Sequence, residues 1–475
     1  MLKTRNSIVY TIAFFVLSLL FIVGIAYSGA FALLWALIGI LGLLYYFAIK
    51  QIVADANNGS VLCDCRFYVF TAIFAYSILP PIYGVLTFVT NHGVKMMSTH
   101  FALTYTSHEL GLTIIMSILF FVGINIGLFF KIHSKYRLIV YKDVISENGI
   151  SNKRMLLFWF VICIISTFFF LIPFIKGGFA AIIAGGTIMD VETNHDASFM
   201  WKIVDIFFSP EIMTVSTVAI LYYSYKLDVN KRTKNTIFFS IVIVECLLAY
   251  LTTRRARAIA IILCALIIYI QWYKKEKGKL PIRRIIVVGA IFAFFYLLEV
   301  IMGLANTGDS QATLLSLFDG VPAYDSLLLA TRNNTDLSMI SNIIYGLFRP
   351  IPVLGKYIIR FLGFNNDVAP MYQWMADRYS IYQFGAGLAY TPQLEAFITG
   401  SYIGCLLYGI LYGYIFGKRR DNLPNLFVAA MAFSVARGNL QILLSLIWPF
   451  GIIGLCFYDQ FLFRRINLFA KTRSK

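Results

Sequence analysis

The chain has 475 residues, 59% of them hydrophobic and only 13% charged, with a formal net charge of +17. A mean hydropathy of +0.77 excludes an ordinary soluble domain, and recurring apolar runs near 20 residues are the length of bilayer spans. In that setting the positive charge points to loops beside anionic lipid rather than to nucleic acid.

In chain order, twelve spans are predicted, at 7–26, 30–49, 67–90, 111–130, 155–175, 211–225, 236–253, 258–273, 285–303, 393–417, 423–440 and 442–462. The fold class expected is an all-α polytopic membrane protein forming a single integral domain over 1–475. The opening MLKTRNSIVYTIAFFVLSLL has the charge and apolar run of a signal peptide. It lacks a small-residue cleavage site and leads into further spans, so it reads as an uncleaved first helix. The spans at 211–225 and 258–273 are short, and Pro80-Pro81 is expected to kink the third.

Lys and Arg counting sets the orientation. With the N-terminus inside, the segments 1–6, 50–66, 131–154, 226–235, 274–284, 418–422 and 463–475 carry 28 of the 40 basic residues. Both termini are therefore expected on the cytoplasmic side.

Against that bias, TTRRARAIA (252–260) places Arg254, Arg255 and Arg257 at an outer turn between two spans. Snorkelling to lipid phosphate or a salt bridge is one explanation. An anion site is the other. Arg255 and Arg257 would open a helix whose free N–H groups and dipole add positive potential, and the guanidinium fork suits phosphate. Eight of the outer basic residues are arginines: these three with Arg332, Arg349, Arg360, Arg378 and Arg437.

The longest outer segment, 304–392, is too long for a simple connector and too apolar to float free. Within it, 340–364 reads as an interfacial helix broken at Pro350 and Pro352, and the whole segment as a lid over the outer face. It ends in QFGAGLAYTPQLEAFITGSYIG, which feeds the tenth span, and Arg437 then sits in SVARGN at the outer end of the eleventh.

An Arg at a small-residue turn, a long outer loop ending in Gly-Leu-Ala…Pro-x-Leu, and a late Ala-Arg-Gly turn together resemble the Wzy-type oligosaccharide repeat-unit polymerases, among them the O-antigen and enterobacterial common antigen polymerases. The resemblance runs over roughly 235–455. It implies a bacterial inner-membrane enzyme. At the periplasmic face it would transfer a growing glycan from undecaprenyl diphosphate to a new lipid-linked repeat unit. The fold would be similar to that of O-antigen ligase-type membrane glycosyltransferases, with a large periplasmic loop between spans 9 and 10. Partners implied are the lipid-linked oligosaccharide, membrane lipids and a chain-length regulator, with no cofactor and no nucleic acid. Arg255 matches the arginine of the first turn and Arg437 that of the late turn. Asp325 in VPAYDSLLLA stands where relatives carry an acid, and the segment from Gly387 through Tyr390 to Leu394 matches the Gly-Leu-Ala…Pro-x-Leu element. The resemblance and the outer placement of the charges together make Arg255, Arg437, Asp325 and Glu395 the catalytic candidates, and Arg254, Arg257, Arg332, Arg349, Gly387 and Tyr390 the diphosphate- and glycan-binding ones. One departure stands out: O-antigen ligases, the alternative enzyme reading, use a histidine of the outer loop, and this chain has no histidine after His195, which weakens that alternative.

The chemistry of the residues agrees with a polymerase. A diphosphate leaving group needs charge neutralisation, which placed arginines supply. An acceptor hydroxyl needs a base, and among the outer carboxylates Asp325 has the family match while Glu395 lies at the mouth of the tenth span. Glu245 and Glu299 fall within spans, where an acid is a functional candidate or an arginine's partner. The five histidines lack metal-ligand spacing, and the Cys63-Asp64-Cys65 triplet reads as incidental. The rival is a secondary transporter or flippase of lipid-linked oligosaccharide, which would show related halves and broken helices near the midplane. A non-catalytic scaffold is a third reading, under which the outer arginines are dispensable.

Overall fold

The computed structural model describes residues 32–56, 61–90, 96–97, 104–133, 149–173, 210–227, 230–253, 255–278, 280–281, 286, 327–328, 330–331, 338–348, 354–364, 391–419 and 422–437. The predicted spans at 7–26 and 442–462 lie outside them, as does 285–303 apart from residue 286.

The described chain is helical, apart from a two-residue antiparallel ladder pairing β1 (Met96–Met97) with β2 (Thr104–Tyr105). The long helices are α1 (Ala32–Asp55), α2 (Cys65–Thr90), α3 (Ser107–His133), α4 (Gly149–Pro173), α5 (Pro210–Tyr225), α6 (Lys231–Thr253) and α7 (Arg255–Lys277). After them come α8 (Met339–Phe348), α9 (Leu354–Phe361), α10 (Pro392–Phe416), α11 (Asn422–Ala430) and α12 (Ala432–Arg437). Five of these helices are long and apolar enough to cross a bilayer: α1, α2, α3, α7 and α10. The protein is thus a helical membrane protein.

Local chemistry sets several boundaries. At the start of α3, Thr106 and Glu109 form a capping box, with Glu109 Oε2 accepting from the Thr106 amide at 2.7 Å and Thr106 Oγ1 from the Glu109 amide at 3.3 Å. At α10, Thr391 Oγ1 accepts from the Leu394 amide at 3.2 Å and Pro392 takes the first helical position. Pro350 and Pro352, where a break is expected, lie outside the described residues. The α9 helix puts Tyr357 and Phe361, 66% and 90% exposed, beside the exposed Lys356 and Arg360. That is the surface of an interfacial helix.

The core has two parts. In the first, α1, α2, α3, α10 and α12 bury Ile38, Phe70, Phe120, Phe121, Tyr408 and Tyr412 among others. In the second, α4, α5, α6, α7 and α11 surround Trp159, Leu221, Ile261 and Leu426. The α11–α12 segment joins them by packing against α2 on one side and α7 on the other. Between α3 and α10 the backbones meet, because Gly123 and Gly127 face Gly409 and Gly413.

One end of the first part is closed by charge. Fully buried Arg66 reaches Asp64 Oδ2 at 2.7 Å, Asp55 Oδ2 at 2.6 Å and the Gly417 carbonyl at 3.2 Å. Beside it, Asn425 accepts from the Cys65 amide and donates to the Cys63 carbonyl, both at 2.8 Å. The CDC triplet, incidental on sequence grounds, is therefore the knot that ties α1, α2, α10 and α11 together.

Predicted span 393–417 departs from a straight crossing. At Gly400 (φ −156°, ψ 17°) and Ser401 (φ 54°, ψ −147°) the backbone leaves the helical region. A Cβ on Gly404 would run into the Ala396 carbonyl, and the Cys405 thiol faces the Gln393 carbonyl at 3.8 Å. Residues eight and twelve apart in a straight helix stand about 12 and 18 Å apart, so 392–399 folds back along 402–416. One cause is visible in the sequence of the break: Thr399 Oγ1 donates to the Glu395 carbonyl at 2.7 Å and competes with the helical ladder.

Candidate functional site

The first candidate centre is the arginine end. Arg255 and Arg257 lie in the opening turn of α7, as expected, and Arg437 closes α12. Their main chains are described and their side chains are not. The Cys264 thiol donates to the Leu426 carbonyl at 3.3 Å, which aligns α7 with α11. From that level, nine residues lead back to Arg255 and eleven lead on to Arg437, roughly 14 and 16 Å along the axes. The other end of α7 carries Lys274, Lys275 and Lys277, and Glu276 there pairs with Lys231 at the start of α6, 2.7 Å away. The two arginine positions thus share the end opposite this basic cluster, on helices that pack together. Arg254, Arg332, Arg349, Asp325, Gly387 and Tyr390 lie outside the described residues.

The second centre is Glu395, and here the structure revises its position. Instead of standing at the mouth of a span, Glu395 is 0% exposed on the folded-back stretch of α10. Its Oε1 accepts from Asn342 Nδ2 of α8 at 2.9 Å. One turn before the fold, Gln393 Nε2 donates to Ser77 Oγ of α2 at 2.7 Å. Tyr408 and Tyr412, on the straight part of α10, bring their hydroxyls into electrostatic range of Glu395. Cys405, beside Gln393, is twelve residues or about 18 Å from the knot at Gly417. The acid is therefore buried well away from that end of the bundle. Asn342 ties the predicted lid to it.

Neither Asn342 nor the two tyrosines were singled out from sequence. Asn342 had a signal, as the one amide in the otherwise apolar helix MISNIIYGLF. The tyrosines of YGILYGY were indistinguishable from core aromatics.

The third centre is Glu245, on α6. It accepts from Thr217 Oγ1 of α5 at 3.1 Å and from the Cys163 thiol of α4 at 3.5 Å. It edges a cleft of about 470 Å³ lined by Phe160, Ile164, Phe168, Ile241 and Val244. Several neighbours on the same helices, among them Leu157, Ile243 and Leu247, are more than half exposed, so the cleft opens onto an apolar surface. Of the two readings of this acid from sequence, an arginine partner is not what the described residues supply: its contacts are a hydroxyl and a thiol.

The centres share no described contact. No family model matches the chain, and neither does any curated protein or any solved structure.

Proposed function

We propose that the protein is a polymerase of lipid-linked oligosaccharide repeat units, a membrane glycosyltransferase that uses a polyprenyl-diphosphate-linked donor. The observation that carries this reading is the common placement of Arg255, Arg257 and Arg437 at one end of two packed helices, away from the basic end. A helix N-terminus beside arginines neutralises a diphosphate as it departs. Of the two candidate acids, Asp325 is the one that would take the acceptor proton, since Glu395 is buried beside Asn342. In this reading the chain crosses the bacterial inner membrane twelve times with both termini in the cytoplasm, 304–392 is the periplasmic lid, and undecaprenyl diphosphate carries the glycan.

A second reading, flippase or secondary transporter, draws support from the fold-back at Gly400–Ser401. Broken helices with an acid near mid-depth are the usual form of a transport site. One experiment separates the two. A strain lacking its polymerase but holding the matching repeat-unit genes receives wild type or Arg255→Ala, and its lipid-linked glycans are resolved by size. A polymerase restores a ladder that Arg255→Ala, present in the membrane at normal level, reduces to a single repeat. Surface repeat units that appear only when the wild-type chain is supplied, without a change in their length, identify a flippase and end the polymerase reading.

A further inference from the structure

We infer that the Glu395 pocket is a binding site for a small monovalent cation, independent of the polymerase reading. The pocket is built from oxygen. Glu395 supplies a carboxylate, and the Tyr408 hydroxyl lies against it. Two further oxygens, Asn342 Oδ1 and the Tyr412 hydroxyl, have no hydrogen-bond partner among the described residues. Both residues are 0% exposed, so bulk water does not satisfy them. Buried polar atoms left open are rare, and an ion or ordered water is the usual explanation. With Glu395 they come from three separate stretches of chain, α8 and both limbs of α10.

The backbone argues the same way. The first limb of α10 ends at Gly400, and a helix broken beside a buried acid is where membrane proteins hold alkali cations. The break is also held under strain: Ser401, at φ 54° and ψ −147°, is the one non-glycine residue with positive φ among the described residues. That region is nearly reserved to glycine, and non-glycine residues kept there concentrate at ligand clamps and switches.

The charge inventory selects the ion. One carboxylate and neutral oxygens balance a single positive charge. Mg²⁺ dehydrates reluctantly and binds with retained waters, which a pocket at 0% exposure does not offer. The set contains no thiolate or imidazole for a soft metal.

The test uses the full-length protein in lipid nanodiscs, heated in NaCl, KCl or choline chloride at equal concentration. Expected is a saturable rise in Tm of at least about 2 °C with Na⁺ or K⁺ over choline. Tyr412→Phe removes one oxygen and keeps the packing, and it should raise the cation concentration at half-effect about tenfold. Glu395→Gln should abolish the effect. Equal Tm in all three salts overturns the proposal. So does an alkali-cation effect that persists unchanged in both Tyr412→Phe and Glu395→Gln, since the ion then binds elsewhere. Should Glu395→Gln fail to fold, Tyr412→Phe and Asn342→Leu decide by the same shift. None of these readouts involves glycan synthesis, so loss of the polymerase reading leaves this one standing.

Discussion

Gly409 and Gly123 pack main chain against main chain: a Cβ on Gly409 would stand 3.0 Å from the Gly123 Cα and closer still to the Phe120 carbonyl. Gly413 meets Ile124 in the same way one turn on. Lipid tails are as apolar as leucine, so close backbone approach, not hydrophobic exclusion, holds helices together in a bilayer.

Gly409→Ala is expected to push α3 and α10 apart at a cost of ~1–3 kcal/mol, the usual range for an overfilled core. Gly111→Ala is the control, because its new methyl would meet only Leu34 Cδ2 at an ordinary 3.5 Å. Thermal unfolding in detergent should lower the Tm of the first variant and leave the second near wild type. Equal Tm values would mean that the contact is not tight.

Arg66→Ala leaves Asp64 and Asp55 facing each other without their cation, and its guanidinium no longer reaches the Gly417 carbonyl. Breaking a buried pair in this way costs ~3–5 kcal/mol. Poor membrane accumulation is expected, with partial recovery in the Arg66→Ala/Asp64→Asn double variant. An undiminished yield of Arg66→Ala would show that the knot contributes little.

Ser401→Gly should stabilise the protein by ~1–3 kcal/mol, the strain stored in a side chain held in a glycine region, less the extra unfolded-state entropy of glycine. Ser401→Val should destabilise it. A Ser401→Gly variant less stable than wild type would point to a side-chain role outweighing the strain.

Phe361→Asp tests the interfacial role of α9. With Phe361 at 90% exposure, no core contact is lost, so stability of the bundle should not change. Limited proteolysis of the lid in membranes should speed up as the helix loses its apolar anchor. Unchanged cleavage would remove α9 from the interface.

Much of the architecture is legible in one dimension. Apolar runs long enough to span a bilayer anticipate α1, α2, α3 and α10, and a shorter run anticipates α7, because the cost of placing a residue in hydrocarbon is a property of that residue. The TSHE and TPQL segments announce the starts of α3 and α10 for the same local reason: a cap bonds within its own turn. The arginine-rich opening of α7 is readable as an N-terminus from its position after a span.

The rest depends on what covers what. Hydropathy over 393–417 is that of a straight crossing, and nothing in its average tells that Gly400 and Ser401 return the chain on itself. The G-x-x-x-G pairs at 123–127 and 409–413 mark faces fit for close packing, yet not that these two faces meet. Glu395 was readable as an acid at a span mouth. Its burial follows from a neighbour 53 residues earlier, Asn342, arriving on a different helix. Sequence alone determined the helices, the membrane and the unusual arginines, since each rests on transfer energies and bonds local to the residue. The burial of the acid, its oxygen neighbours and the closure at Arg66 were decided only by tertiary structure, because desolvation and hydrogen bonding depend on groups the chain brings together from far apart.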